Sequence, residues 1–343
     1  MRNMNSSSLT TALSIFTAMV LTLGMVGQAS AQEEPTRSFT EVTENLYRVQ
    51  NNGHYTMALI TDDGAIITDP INRDFSTWLK GELTERFDAE VKYVLYRHHH
   101  WDHASGGGVF EDTAQFVGHE NMAHHLDLPA ADTALPANAA SLDANGNGQL
   151  EHSEAAEDYA NNFDLYDADG DETISGAEAV RGKLSDVRLP GLVYHDNMSV
   201  TLGGQTVELI YTGNMTHTDD MSIIRFPAQS TIFVVDWLSP RRVPFGTLGS
   251  GNLDGWLNAI RFAEALDYDV AAGGHGVVGT KADITDIRHY LEEMRDLVVA
   301  GMAAGDSLED MQASILMERY SDWINHDRWV TLNVEGMYNI LSQ

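Results

Sequence analysis

The sequence predicts a mixed α/β fold with two β-sheets at its core and helices outside them. Strand-like segments recur as hairpins, and helical segments connect one group of strands to the next. The strand-like segments, rich in apolar residues, are 46–49, 57–61, 65–68, 91–97, 116–118, 199–202, 206–211, 221–226, 231–235 and 270–272. The predicted helices are 75–87, 120–126, 254–266, 284–302 and much of 307–343.

Turn residues separate the strands of each predicted hairpin. Asp62-Asp63-Gly64 precedes the strand at 65–68, and Gly203-Gly204 precedes the strand at 206–211. Aspartate and glycine suit these turns because they tolerate the backbone angles that tight hairpins need. The C-terminal stretch is expected to pack on the core through its aromatic residues, Trp323, Trp329 and Tyr338.

Composition narrows the classes of function. The chain has 343 residues, with 51 acidic and 20 basic side chains and a net charge of −31. The negative electrostatic field of such a chain argues against nucleic acid or an anionic membrane surface as a partner. Cysteine is absent, which excludes thiolate metal ligands, a cysteine nucleophile and disulfides.

The N-terminus has the pattern of a secretory signal peptide over residues 1–31. Arg2 precedes an apolar run at residues 12–26, and Ala29-Ser30-Ala31 provides small residues for cleavage after Ala31. An uncleaved anchor helix is the alternative, which the small-residue site disfavours. We therefore expect a bacterial periplasmic or secreted protein with no membrane segment after cleavage.

The most informative motif lies where the predicted strand 91–97 gives way to a loop. Four candidate metal ligands fall within six residues, namely His98, His100, Asp102 and His103. Imidazole and carboxylate suit zinc and similar divalent ions. Residues two apart on an extended segment point the same way, so the first two histidines can share one ion, and the others can face a second.

The pattern His-x-His-x-Asp-His resembles the signature of the metallo-β-lactamase-fold hydrolases. The resemblance implies a four-layer αββα sandwich and a set of later ligands in matching order. His217 lies in a loop after a strand, Asp236 ends an apolar strand, and His275 lies in a glycine-flanked turn. Each of these residues alone is weak evidence. Together, their order and spacing match the later ligands of the metallo-β-lactamase-fold hydrolases.

The resemblance also implies how the ligands divide between two divalent transition-metal ions. His98, His100 and His217 would bind the first ion, Asp102, His103 and His275 would bind the second, and Asp236 would bridge both. Asp69 would orient the histidine loop without binding an ion. Zinc is the expected metal, with iron and manganese as alternatives. The remaining histidines are interpreted as structural or solvent-exposed; His54 could approach the site, but the structural interpretation is favoured for it.

Residues 132–186 differ from the rest, with acidic residues, asparagine and glycine in place of strand patterns. Two twelve-residue loops there, 143–154 and 167–178, resemble a pair of EF-hands inserted into the larger domain. The expected calcium ligands are Asp143, Asn145, Asn147, Gln149 and Glu154 in the first loop and Asp167, Asp169, Asp171, Thr173 and Glu178 in the second. Glu172 replaces glycine at the sixth position and needs a positive φ. Leu150 should pair the loops, and helices are predicted at 151–166 and 177–187.

These assignments divide the chain into four segments. They are the signal peptide at 1–31, the first part of the metallo-β-lactamase-like domain at 32–131, the EF-hand pair at 132–186, and the second part of the domain, with its C-terminal helices, at 187–343. Up to two calcium ions are expected.

The predicted function is metal-assisted hydrolysis of a small molecule, with Asp102 orienting the nucleophile and moving its proton. The bond stays open among ester, lactone, thioester, amide or β-lactam, and phosphoester. Asp236 stands where many true β-lactamases have cysteine, and no lysine follows it closely. An aspartate bridge is more typical of the glyoxalase-, lactonase-, sulfatase- and phosphodiesterase-like branches. Arg241 and Arg242 are candidates for binding an anionic group.

Other functions on the same fold are a β-lactamase proper, a non-hydrolytic iron-binding redox protein, and a calcium sensor with a vestigial site. Metal content and a hydrolysis screen would separate them. The sequence leaves the oligomeric state open.

Overall fold

The computed structural model describes residues 34–213, 217–249 and 252–343. The predicted signal peptide, 1–31, lies outside the described residues. The strands are β1 (Arg37–Thr43), β2 (Leu46–Asn51), β3 (His54–Thr61), β4 (Gly64–Thr68), β5 (Val91–Leu95), β6 (Gln115–His119), β7 (Gln149–Glu151), β8 (Thr173–Ser175), β9 (Leu192–Tyr194), β10 (Asn197–Leu202), β11 (Gln205–Tyr211), β12 (Ser222–Phe226), β13 (Thr231–Val234), β14 (Val270–Gly273) and β15 (Val278–Thr280).

The helices lie between groups of these strands and at the C-terminal end of the chain. They are α1 (Arg73–Phe87), α2 (Trp101–Ala104), α3 (Met122–Leu126), α4 (Ala137–Ala140), α5 (Glu157–Asn161), α6 (Phe163–Tyr166), α7 (Gly176–Arg181), α8 (Leu253–Ala265), α9 (Lys281–Ala304), α10 (Leu308–Ser314) and α11 (His326–Leu341). Among the described residues, no helix is long and apolar enough to cross a membrane.

Two sheets form the core of the unit that spans Pro35–Gln343. The first joins β1-β2-β3-β4-β5-β6-β9, antiparallel up to β4 and parallel beyond it. The second joins β10 to β15 in chain order, with β13 and β14 parallel. The sequence did not predict β1, β9 or β15, because they carry no buried apolar alternation that marks a strand.

Three apolar clusters show the order of the layers. Ile66 faces the second sheet, where it joins a cluster that includes Phe233, whereas its neighbour Ile67 faces α1 with Phe75. Successive residues of a strand point to opposite faces, so one strand serves two layers. On the far side of the second sheet, a third cluster packs it against helices α8 to α11, with Trp256 at its centre. The layers therefore run helix, sheet, sheet, helix.

The segment 132–186 has its own small core. β7 pairs antiparallel with β8, so that Leu150 lies opposite Ile174, and both side chains are fully buried. The predicted helix 151–166 is wrong as one element: its first residue belongs to β7, and a left-handed Glu157 (φ 52°) lies at the start of α5. The helix predicted at 177–187 ends early, at α7, where Gly182 has φ 86°.

Candidate metal centre

The predicted ligands come together at one edge of the two sheets. Each follows the carboxyl end of a strand: His98 comes after β5, His217 after β11, Asp236 after β13 and His275 after β14. β13 and β14 are parallel neighbours, so their carboxyl ends meet at the same edge. Parallel strands commonly present functional groups there.

Helix α2 carries Asp102 and His103 away from the strand. The turn behind it needs glycine, because Gly106 has φ 84° and a Cβ atom there would lie 2.3 Å from the carbonyl carbon of Asn72. The carbonyl of His103 also accepts a hydrogen bond from the backbone nitrogen of Ile71, at 2.7 Å. These contacts hold the helix against the end of the first sheet.

The first group of side chains contains His98, His100, His217 and Asp236. Their candidate ligand atoms all lie within 4.8 Å of one another. His217 Nε2 is 2.9 Å from His100 Nδ1, and His98 Nε2 is 3.1 Å from Asp236 Oδ2. Nitrogen and oxygen atoms converge here as ligands do around one ion.

The second group contains Asp102, His103 and His275, and His54 joins it. His103 Nε2 is 3.2 Å from His275 Nε2 and 3.7 Å from Asp102 Oδ2. His275 is oriented from behind by the carbonyl of Gly53, to which its Nδ1 donates at 2.8 Å. That bond leaves Nε2 directed at the group.

Asp236 lies between the two groups. Its Oδ2 atom is 3.1 Å from His98 Nε2 and 3.4 Å from His217 Nε2. Its Oδ1 atom is 3.1 Å from His275 Nε2 and 3.4 Å from His103 Nε2. One carboxylate oxygen therefore faces each group. The residue has φ 55°, a left-handed conformation that aspartate tolerates better than most residues.

The donor set fits divalent transition metals. Among the described residues, His98 Nε2 is buried and makes no hydrogen bond, although it lies 3.1 Å from Asp236 Oδ2, which is unusual unless something else satisfies it. Burial, with the charges of neighbouring histidines, lowers the pKa of His100 to about 2. Burial likewise lowers the pKa of His217 and of His275 to about 4, against the attraction of Asp236. Neutral imidazoles and an ionised carboxylate are the species that zinc-like ions bind.

His103 differs from the other histidines in the direction of its shift. Burial acts to lower its pKa, but the charge of Asp236 and a hydrogen bond to it outweigh burial and raise it. Burial alone would raise the pKa of Asp236, and the surrounding histidines instead hold it well below the usual range. An ion at the second group therefore competes with a proton on His103.

A family model described as the metallo-beta-lactamase superfamily matches residues 54–275, more than half of the chain. The chain belongs to the metallo-beta-lactamase superfamily. Members of this superfamily are mostly hydrolases, and they usually bind two transition metals. The His/Asp groups of this chain could hold such ions. A search of curated proteins finds no match.

Solved structures of other superfamily proteins share the fold. A metallo-beta-lactamase from Pontibacter korlensis is 15% identical over 75% of this chain and 99% of its own, with a TM-score of 0.52. A metallo-beta-lactamase family protein from Thermus thermophilus is 16% identical over 88% of this chain and 94% of its own, at 0.53. A stereoselective inverting sec-alkylsulfatase from Pseudomonas sp. is 15% identical over 88% of this chain and half of its own length, at 0.56.

In this metallo-beta-lactamase superfamily protein, a buried ion pair supports the histidine loop. Asp69, predicted to orient the loop, reaches it through Arg97, the residue before His98. Its Oδ1 accepts from the Arg97 backbone nitrogen at 3.1 Å, and its Oδ2 accepts from the Arg97 guanidinium. The Arg97 carbonyl accepts from the backbone nitrogen of Ser222, at the start of β12. Arg97 therefore joins both sheets beside the first ligand.

Sequence reasoning missed a second contact, between His99 and Asp220. His99 Nδ1 is 3.1 Å from Asp220 Oδ1, and the His99 ring stacks on that of His125 at 3.6 Å. His125 Nε2 is in turn 2.6 Å from Asp219 Oδ1. These contacts tie the histidine loop to the loop that carries His217. The sequence did contain a clue to this contact. On an extended segment, successive side chains point to opposite sides, so His99, between two ligands, should point away from the metal groups.

Two further residues lie near the centre. His54, for which approach to the site was the less favoured alternative, lies in the wall of the site with its Nε2 atom 3.3 Å from Asp102 Oδ2. Arg48 donates to the carbonyls of Gly273 and Gly276, at 2.6 and 2.8 Å, and so fixes the turn around His275. No local sequence pattern marks a contact between residues so far apart in the chain.

A cavity of about 710 Å³ opens over the two groups. Arg242 lines it, as expected of a residue that could bind substrate. Arg241 does not line it: its guanidinium pairs with Asp322 at the surface, and its backbone has φ 53°. Only one of the predicted pair therefore reaches the site.

The second predicted calcium loop brings three of its expected ligands together. Carboxylate oxygens of Asp167, Asp169 and Glu178 lie within 4.8 Å of one another. In the first loop, Asp143 Oδ1 accepts from the Gly146 backbone nitrogen at 2.7 Å, and Glu154 reaches back to the backbone near the loop start. The side-chain oxygens of Asn145, Asn147 and Asp171 each accept a backbone N–H within their own loop, whereas Gln149 and Thr173 lie in the paired strands.

Proposed function

We propose that this protein is an exported dinuclear metal-dependent hydrolase with a calcium-binding insert. The observation that carries the catalytic part is Asp236, which turns one carboxylate oxygen toward each of two histidine groups. His98, His100 and His217 would hold the first ion, and Asp102, His103 and His275 the second. When bound, two such ions activate water near neutral pH and polarise the bond to be cleaved.

Asp102 is the residue proposed to handle the proton. It lines the cavity, and its Oδ2 atom is within reach of His54 Nε2. Burial acts to raise the pKa of Asp102, but a hydrogen bond from His54 and the charge of His103 lower it overall. The carboxylate is thus ionised at neutral pH, so it can orient a nucleophile by accepting its hydrogen bond and can take up its proton transiently. His54 lies beside that carboxylate in the wall of the cavity.

The test is a hydrolysis screen of the zinc- or manganese-loaded protein with a lactone, a thioester, a β-lactam, a phosphodiester and a sulfate ester. Asp102→Asn keeps the shape of the side chain but removes both the base and an anionic ligand of the second ion, so kcat on any active substrate should fall by about 100-fold or more. Asp112→Asn, an exposed aspartate paired with Lys80, is the matched control and should leave kcat unchanged. Hydrolysis of none of these bonds, or an unchanged kcat in Asp102→Asn, would overturn the proposal.

The calcium part of the proposal rests on the paired loops. Gly148 and Glu172 both have a left-handed backbone at the sixth position, with φ 84° and 68°. Glu178 is buried, and its carboxylate accepts from the backbone nitrogens of Ala168 and Ser175, at 2.7 and 2.8 Å. The two loops thus share a backbone turn and a glutamate that closes the loop, as calcium loops do.

Calorimetric titration of the whole protein with calcium tests this part. Glu154→Gln and Glu178→Gln should each remove one binding event. Glu172→Gly should tighten binding in the second loop, because the left-handed conformation costs a non-glycine residue about 1 kcal/mol. Calcium binding that persists in the double Glu→Gln variant would refute the assignment.

The insert could stabilise the protein or also tune its activity. The segment that leaves the insert packs on the histidine loop: Lys183 Nζ lies 4.1 Å from the ring centre of Trp101, the residue before Asp102. Leu184 and Val187 are buried in the core of the first sheet. Turnover measured with and without calcium, at constant transition-metal content, distinguishes the roles. An unchanged kcat and KM with a lower melting temperature would leave only the stabilising role.

Export is proposed from the sequence of residues 1–31. The test is N-terminal sequencing of the protein recovered from a bacterial periplasm or medium. A mature chain that begins at Gln32 supports the proposal, and an intact Met1 on soluble cytoplasmic protein opposes it.

A further inference from the structure

The wall of the cavity away from the metal centre is aromatic and apolar. It is built by the loop after Asp236, by α8 and by α11 with the residues just before it, and its apolar members are Trp237, Phe245, Leu248, Trp256, Ile324 and Trp329. The Phe245 side chain is 67% exposed at the mouth, where its ring meets Trp329 edge-on with centroids 5.0 Å apart. An exposed aromatic ring beside a lined cavity favours an apolar ligand.

Two guanidinium groups interrupt this apolar wall. The Arg242 guanidinium lies 4.7 Å from the centre of the Trp329 ring, and that of Arg328 lies 5.7 Å from it. Neither forms a salt bridge with any carboxylate in the part of the chain that the structure describes, whereas neighbouring Arg241 pairs with Asp322. Burial lowers the pKa of Arg242 to about 10, so it stays protonated at neutral pH.

Arg242 also lies close to the second metal group. A Cβ atom on Gly276, the residue after His275, would be 3.5 Å from the Arg242 Cβ. A half-buried cation that makes no salt bridge among the described residues and lies beside an aromatic ring is poised for an anionic oxygen group from outside the protein. The net charge of the chain, −31, repels anions in general, so these arginines are a local exception.

We propose that the cavity binds anionic amphiphiles, that is, substrates with an apolar body against the tryptophan wall and one anionic oxygen group on Arg242, with Arg328 assisting at the mouth. The inference rests on the proposed hydrolase function for its role in catalysis, but the binding itself does not depend on turnover. A carboxylate, a sulfate and a phosphate share the required chemistry. Neutral hydrophilic molecules and cations do not fit.

The experiment measures binding by quenching of tryptophan fluorescence in the full-length, zinc-loaded protein. The probes are decanoate, decyl sulfate and decyl phosphate, each below its micelle concentration, with decanol and decyltrimethylammonium as the neutral and cationic references. At least one anion should bind about tenfold or more tightly than decanol, because a hydrogen bond to a charged group stabilises binding by that order. The anion that binds most tightly identifies the anionic head group that the cavity prefers.

Arg242→Gln should weaken binding of that anion by about 10- to 100-fold and leave decanol binding unchanged. Arg241→Gln is the matched control and should have no effect, and equal melting temperatures show that both variants fold. Arg328→Gln should weaken binding less, because its guanidinium is exposed. Equal affinity for decanol and all three anions, or unchanged binding in Arg242→Gln, overturns the inference. Arginine-dependent binding without hydrolysis of any ester would instead overturn only the proposed function.

Discussion

Replacement of Asp69 by asparagine should destabilise the protein and weaken metal binding, although Asp69 binds no ion itself. Asp69 and Arg97 both have 0% exposure. Asparagine keeps the shape of Asp69 but leaves the Arg97 charge buried without its ion-pair partner, with the Phe233 ring centre 4.0 Å from the guanidinium. Breaking a buried ion pair in this way destabilises a protein by about 3–5 kcal/mol. Because Arg97 precedes His98, metal affinity should also fall about 10- to 100-fold.

Urea unfolding of the metal-free protein at pH 7 gives the change in the free energy of unfolding, and zinc titration gives the affinity. Asp74→Asn is the control, because this exposed aspartate also pairs with an arginine, and its loss should change stability by about 1 kcal/mol or less. Adding Arg97→Met to Asp69→Asn should recover part of the lost stability, since no lone charge then stays buried. A change below about 1 kcal/mol in Asp69→Asn, with zinc affinity intact, would refute the reasoning.

Three further substitutions test other parts of the structure. His99→Ala removes no predicted ligand but breaks the contact between the two ligand loops, so zinc affinity should fall about tenfold or more; an unchanged titration would oppose this role. Gly336→Ala would place a Cβ atom 2.1 Å from the Thr247 carbonyl oxygen and should destabilise the protein by about 1–3 kcal/mol in urea unfolding, whereas Gly81→Ala, in open space on α1, should be neutral or stabilising. Leu150→Ala should cost about 2–5 kcal/mol of insert stability and weaken calcium binding in both loops; binding at wild-type affinity would contradict the pairing.

The features that could be predicted from the sequence are those carried by local spacing. The histidine motif combines alternation along an extended segment with a short helix, so its ligands are recognisable within six residues. The left-handed backbone of Glu172 followed from its place in a loop template, and the structure confirms it with φ 68°. The pairing of Leu150 with Ile174 is of the same kind, since the apolar residue at that loop position has one partner.

The features that escaped prediction depend on contacts between distant parts of the chain. Arg48 reaches the turn around His275 from the other sheet, and no sequence pattern near either residue predicts this contact. Arg241 and Arg242 are adjacent in sequence, yet only Arg242 lines the cavity, whereas Arg241 pairs with Asp322. The predicted helix at 151–166 is interrupted at Glu157, which has a left-handed backbone, and again at Asn162, between α5 and α6.

The most direct test of the central claim is the transition-metal content of the purified protein by mass spectrometry, measured beside Asp236→Ala and His275→Ala. A shared carboxylate between two histidine groups predicts two ions per chain in the unaltered protein. His275→Ala should lose one of them, and Asp236→Ala should lower the occupancy of both. One ion per chain in the unaltered protein, or full occupancy in Asp236→Ala, would contradict a dinuclear centre bridged by this residue.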